Sequence, residues 1–236
     1  MRPVINWLRV VAALGYLTGE PRLAATQTPR DVASRSFPSV VLIVTADSNG
    51  QPLALGSGFV ITSGIVTNVH VIRGAFSGTV KLVGAPKVQP LAGILAVDTL
   101  HDLILLSAPT LIAPPLAVGD SHVMAVGDEV YALGNPQGLE GTFSQGIVSG
   151  IRRPGFDTVL QITAPISPGS SGGPVLNATG EVIGIAVASF REGQNLNFAI
   201  PAAYLTPLLS KVATAARPLS VVRRGPTVSS PSRLTV

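Results

Sequence analysis

Apolar residues change their rhythm along this chain. Near the start they form one short run, Val10-Val11-Ala12-Ala13-Leu14-Gly15-Tyr16-Leu17, behind the basic Arg2 and Arg9. From Ser39 onward they come in short apolar or alternating stretches broken by Gly, Pro and Asn, the pattern of strands rather than helices. The first half predicts strands at Val40–Ala46, Ala54–Thr62, Gly64–Asn68, Thr79–Val83, Ala92–Asp98 and Leu103–Ser107. Asn49-Gly50 lies between the first two, and both residues tolerate the positive φ of a tight hairpin turn. Pro109 to Pro115 is proline-rich and uncharged and reads as a connector. The second half predicts strands at Glu129–Leu133, Phe143–Ser149, Val159–Thr163, Pro174–Asn177, Val182–Ala188 and Leu196–Ile200. Ala202–Ala213 has apolar residues at helical spacing despite Pro207, which predicts a closing helix. The pattern is all-β: two six-stranded antiparallel barrels with a short C-terminal helix. Barrel one spans about 37–108 and barrel two about 117–201, within a domain over 37–213.

Composition narrows the picture. A chain of 236 residues with 46% hydrophobic and 12% charged residues can bury one substantial core. The 25 glycines and 20 prolines suit many short strands and turns. Cysteine is absent, so disulfides and thiolate zinc sites are excluded. The net charge of +4 and sequence pI near 10 would suit an anionic partner. However, Arg2, Arg9, Arg22 and Arg30 precede the strands, and Arg217, Arg223, Arg224 and Arg233 follow them. The domain between is nearly balanced, so a nucleic-acid partner is not expected. Residues 1–30 read as a leader for export, to the periplasm or the extracellular space, with small residues at Leu23-Ala24-Ala25 for cleavage. The apolar run is well short of the roughly 20 residues needed to cross a bilayer, so no stable membrane span is expected. Residues 217–236, rich in Pro, Ser and Arg, read as a disordered tail.

The candidate chemistry lies in three segments. Pro168-Gly169-Ser170-Ser171-Gly172-Gly173-Pro174 follows Thr67-Asn68-Val69-His70-Val71 and His101-Asp102-Leu103-Ile104-Leu105. A serine flanked by glycines can be lifted on a tight turn, with neighbouring amides aimed at one point, as a nucleophile with an oxyanion hole requires. The order His, Asp, Ser is the chymotrypsin order. Asp98 competes with Asp102 for the carboxylate role, and Ser170 competes with Ser171 as nucleophile. His101 neighbours Asp102 and on a strand would point to the opposite face. It and His122 are expected at the surface.

These segments resemble the chymotrypsin-fold serine proteases, and among them the bacterial HtrA or Deg type. Gly56-Ser57-Gly58-Phe59-Val60-Ile61, Val126-Gly127-Asp128-Glu129-Val130, Gly134-Asn135-Pro136, Gly146-Ile147-Val148-Ser149 and Leu196-Asn197-Phe198-Ala199-Ile200-Pro201 fit the same pattern in family order. The resemblance covers about Phe37 to Leu209. It implies a serine endopeptidase that needs no cofactor or metal and acts on unfolded or exposed polypeptide. In that reading Ser171 is the nucleophile, His70 its base and Asp102 the orienter of His70. The Gly169 and Ser171 N–H groups form the oxyanion hole. The specificity pocket is framed by Ile166, Leu196, Asn197 and Phe198. No acid lies in Thr163-Ala164-Pro165-Ile166-Ser167, so Lys and Arg are not the expected specificity. Ser170 stands where digestive relatives carry an aspartate, so activation through an ion pair with a new amino terminus is excluded. The resemblance allows a homo-oligomer, a trimer by family analogy. About twenty residues follow the domain, too few for the PDZ domain that relatives append. The competing expectation is a protease-like binding or chaperone module with little turnover.

Overall fold

Short glycine-punctuated runs fold into two antiparallel sheets, described by a computed structural model over residues 27–153, 155, 157–189 and 196–222. The first sheet contains β1 (Val40–Ala46), β2 (Pro52–Ile61), β3 (Gly64–Asn68), β4 (Ser77–Leu82), β5 (Val88–Pro90), β6 (Gly93–Asp98) and β7 (Leu103–Ser107). Their order is β5-β4-β1-β2-β3-β7-β6. Strands β1, β3 and β7 occupy the predicted residues without shift. The second sheet contains β8 (Glu129–Gly134), β9 (Thr142–Arg152), β10 (Val159–Ile162), β11 (Pro174–Leu176), β12 (Val182–Ser189) and β13 (Asn197–Pro201). It closes into a barrel in the order β10-β13-β12-β11-β8-β9.

The two-barrel plan holds, but the first unit is a seven-stranded half-barrel rather than a closed six-stranded one. The extra strand β5 lengthens one edge. At the other edge β6 turns its backbone to the C-terminal segment: Ile94 and Arg217 exchange hydrogen bonds of 2.7 and 2.8 Å. Residues 217–222, expected to start a disordered tail, therefore pack on the first sheet, and Leu219 is buried in its core. The rest of the expected tail, 223–236, lies outside the described residues.

Three apolar clusters hold the molecule together. One fills the first sheet, with Val41, Ile43, Ile65, Ile94, Ile104 and Leu106. One fills the barrel, with Val130, Val148, Leu160, Ile162, Val175 and Ile183. The third joins the sheets: Val40, Phe59, Val66 and Leu105 of the first meet Tyr131, Leu133, Leu176 and Val182 of the second. Each such large side chain, fully buried, contributes about 1.5–3 kcal/mol. This shared seam fixes one half of the molecule against the other.

The ends correct two further expectations. Helix α1 (Pro29–Ser36) begins inside the expected leader. Thr28 caps it: its hydroxyl accepts from the Asp31 N–H, and the Asp31 carboxylate accepts from the Thr28 N–H, a reciprocal capping box. Val32 of α1 is fully buried in the seam. The remainder of the leader, residues 1–26, lies outside the described residues. The closing helix is short: a 3₁₀ turn at Ala202–Tyr204 leads into α3 (Leu205–Leu209). Its Pro207 has no N–H to continue the ladder. Among the described residues no helix is long and apolar enough to cross a membrane.

Candidate active site

The pairing of β3 with β7 sets Asn68 opposite Leu103. The chain then continues from β3 into one helical turn, α2 (Val69–Ile72), and that turn carries His70 next to Asp102. The contact is dense. The Asp102 carboxylate accepts from the His70 backbone N–H at 2.9 Å and lies 2.5 Å from His70 Nδ1. The Asp102 carbonyl accepts from the Val69 N–H at 3.1 Å and from Asn68 Nδ2 at 2.9 Å. Asp102 holds a left-handed φ of 55°, which aspartate tolerates better than most side chains. With Nδ1–H donated to the carboxylate, Nε2 is left as an acceptor facing outward.

Asp98, the rival carboxylate, serves a different histidine. It lies 2.6 Å from His101 Nδ1, and its other oxygen accepts from the Leu100 and His101 N–H groups. Burial alone would raise the Asp98 pKa, but the His101 hydrogen bonds outweigh it and hold the carboxyl below its ordinary range. His101 is not the surface residue expected from its place in sequence. It stacks on Tyr204 with ring centroids 3.9 Å apart and reaches Asp157 at 3.3 Å.

Ser171 belongs to the irregular loop between β10 and β11. Its carbonyl accepts from the Ser57 N–H of β2 at 2.9 Å, which ties the loop to the sheet that bears His70. Gly172 explains the glycines of the motif. At φ 85° a Cβ there would lie 2.1 Å from Thr67 Oγ1 and 2.3 Å from the Ser57 carbonyl oxygen. Ser171 is half-buried and Ser170 buried, so Ser171 is the more accessible hydroxyl. That hydroxyl donates to the Val187 carbonyl at 3.2 Å. His70 and Ser171 are not joined by a hydrogen bond among the described residues.

The amides around Ser171 alternate. Those of Ser170, Gly172 and Gly173 donate to Ser167, Ala186 and Ser170 carbonyls. Those of Gly169 and Ser171 donate to no partner among the described residues. This leaves free the two donors that an oxyanion hole would use.

Of the residues expected to frame a specificity pocket, Ile166, Asn197 and Phe198 are buried, and Leu196 is partly exposed. Asn197 Nδ2 donates to the Ala164 carbonyl at 2.9 Å, so Asn197 ties β13 to the loop that leads to Ser171. The sequence attaches no role to Ser57, although Ser57 lies in the quoted Gly56-Ser57-Gly58 motif, the signal that could have flagged it; for the serine turn it points to loops such as 135–142, which holds Asn135 and Gln137. In the fold they touch the Ser171 loop: Ser57 Oγ donates to the Gly169 carbonyl at 2.7 Å, and the Gln137 N–H donates to Pro168 at 2.9 Å.

Comparison with known proteins identifies the family of the chain. The model of the trypsin-like peptidase domain matches residues 56–185, more than half of the chain, which belongs to that family. The chain is 34% identical over 218 residues to Protease Do-like 1, chloroplastic, of Arabidopsis thaliana, covering 81% of this chain and 49% of that one. It is 35% identical over 156 residues to the putative serine protease HhoB of Synechocystis, covering 62% of this chain and 37% of that one. It thus spans half or less of the length of these curated relatives. A serine endoprotease structure from Yersinia pestis matches with a TM-score of 0.70 at 32% identity, covering 78% of this chain and 66% of that chain. A protease from M. tuberculosis in its active form matches with a TM-score of 0.71 at 27% identity, covering 82% and 90%.

Proposed function

We propose that this protein is a serine endopeptidase acting on unfolded or exposed polypeptide. Ser171 Oγ attacks the scissile carbonyl while His70 Nε2 takes its proton. The carbonyl oxygen gains the negative charge, next to the Gly169 and Ser171 N–H groups. Collapse of the adduct breaks the C–N bond, and His70 returns the proton to the leaving amine. Water then repeats the sequence on the acyl-enzyme and frees Ser171. Asp102 holds the imidazole tautomer and balances the imidazolium charge.

The observation that carries this reading is the doubly hydrogen-bonded His70–Asp102 pair, beside a serine loop tied to β2 of the same sheet whose Gly169 and Ser171 amides donate to no partner among the described residues. One observation favours the competing reading of a binding module with little turnover: the Ser171 hydroxyl rests on Val187 rather than on His70. In the peptidase reading, that hydroxyl leaves Val187 and donates to Nε2 when substrate binds. The pocket bordered by Ile166 accepts small aliphatic side chains. A cation placed there has no buried acid as partner and costs several kcal/mol, roughly. Export, and assembly into a homo-oligomer, belong to the same proposal; relatives include proteins named as probable periplasmic DegP-like endoproteases.

The test is incubation of the full chain with an unfolded protein, with cleavage sites read by mass spectrometry. Cleavage after small aliphatic residues, abolished in Ser171→Ala, is expected. Intact substrate with the wild type would favour the binding module. Cleavage mainly after Lys or Arg would overturn the pocket assignment.

A further inference from the structure

We propose that Ser57, on β2 of the first sheet, is a positioning residue for the oxyanion hole of the second barrel; this rests on the peptidase reading above. Three consecutive peptide planes, from Pro168 to Ser171, form the turn. In a trans peptide the N–H and C=O point in opposite directions, so a carbonyl held from behind the loop turns its own N–H to the cleft. The Pro168 carbonyl is held by the Gln137 N–H at 2.9 Å, which aims the Gly169 N–H forward. The Ser170 carbonyl is held by the Gly173 N–H at 3.0 Å, which aims the Ser171 N–H forward.

The plane between them is fixed at both ends. Its N–H, from Ser170, donates to Ser167 at 2.9 Å. Its carbonyl, from Gly169, accepts from Ser57 Oγ at 2.7 Å. Gly169 sits at φ 96°, where glycine meets little resistance to rotation. Gly169 alone therefore does not hold this segment; the Ser167 bond at one end and the Ser57 contact at the other set its orientation.

The Ser57 hydroxyl suits that task because it has no freedom to choose. It is fully buried, and its oxygen accepts from the Asn135 N–H at 2.8 Å and from Asn135 Nδ2 at 3.3 Å. Both acceptor positions are filled, so the single O–H is directed to Gly169. Asn135 is itself anchored: Nδ2 donates to the Val41 carbonyl of β1 at 3.0 Å, and Oδ1 accepts from the Gly141 N–H at 3.1 Å. A buried chain of hydrogen bonds thus runs from β1 through Asn135 and Ser57 to Gly169. The oxyanion donors are oriented by the sheet that also carries His70 and Asp102. Ser57 touches no reacting atom and acts through Gly169.

The test compares wild type, Ser57→Ala and Ser57→Cys on dye-quenched unfolded casein, with fluorophosphonate labelling rates and thermal midpoints measured in parallel. Cysteine keeps the shape and offers only a weak S–H donor. Removing one oxyanion donor outright costs about a hundredfold or more in kcat. Loosening the donors is expected to cost roughly tenfold to a hundredfold. KM should stay within about twofold, because substrate binding does not need the oxyanion contact. The labelling rate should fall in the same proportion as kcat. If Ser57→Ala does not fold, Ser57→Cys carries the test alone. Wild-type kcat in the folded variants, or a loss matched by a lower folded fraction, overturns the role of Ser57 alone. An inert wild type overturns the peptidase reading and this inference with it.

Discussion

The two halves of the candidate site are built by different means. The His70–Asp102 half sits at the end of one strand pair, and the register of β3 on β7 brings its residues together. Once that ladder forms, the contact follows, since four hydrogen-bond contacts link residues 68–70 to Asp102. The Ser171 half has no ladder of its own. Its loop is held from outside, by Ser57 and Gln137 and by glycines that let it lie against Thr67 and Leu133. A base built on regular structure is preformed. A nucleophile loop built on long-range braces can be switched by whatever moves those braces.

This contrast ranks what substitutions do. The largest loss is expected for the reacting groups. Ser171→Ala and His70→Ala should each lower kcat by roughly 10⁴–10⁶, and the double variant should be little worse than either, because the groups act as a unit. Asp102→Asn should cost about 10⁴ by favouring the wrong imidazole tautomer. Steady-state turnover of labelled casein measures all three. If the double variant multiplied the single losses, His70 and Ser171 would not be one catalytic unit.

Next comes the packing of the loop. Gly172→Ala puts a methyl group within van der Waals overlap of Thr67 and the Ser57 carbonyl, so the loop must move off the first sheet. A loss of at least about a hundredfold in kcat is expected, comparable to removing an oxyanion donor, with the secondary structure by circular dichroism unchanged. Near-wild-type turnover would show that the loop does not depend on this contact.

The smallest effect is expected away from the serine. The Asp98 carboxyl, held below its ordinary pKa by His101, stabilises the fold where it is ionised, above about pH 4. That contribution is lost as the pH falls through its lowered folded-state value. Asp98→Ala should therefore lower the thermal midpoint at neutral pH, and the gap to wild type should close in stronger acid. A gap independent of pH would assign the effect to packing.

How much of this was legible in the sequence depended on whether side-chain pattern carried the contact. The strands that place His70 and Asp102 follow apolar runs bounded by turns, and the structure keeps their predicted limits. Strand β5 is three residues long, ends in Pro90 and buries Gln89, so no alternation marks it. Helix α1 carries a readable cap, Thr28-Pro29-Arg30-Asp31, but that signal overlaps a stretch that also resembles the end of a leader. Residues 217–222 join β6 through the backbone of Arg217, which no hydrophobic period reports. The brace at Gly169 has the same character: Ser57 lies 112 positions away and donates to a carbonyl that every residue possesses.

The central claim, that the two differently built halves meet as one nucleophilic site, is tested most directly by fluorophosphonate labelling of the intact chain, with the modified residue identified by peptide mass spectrometry. One covalent adduct per chain is expected, on Ser171, slowed by His70→Ala and absent from Ser171→Ala. Labelling on Ser170, or labelling of Ser171 at an unchanged rate in His70→Ala, would contradict it.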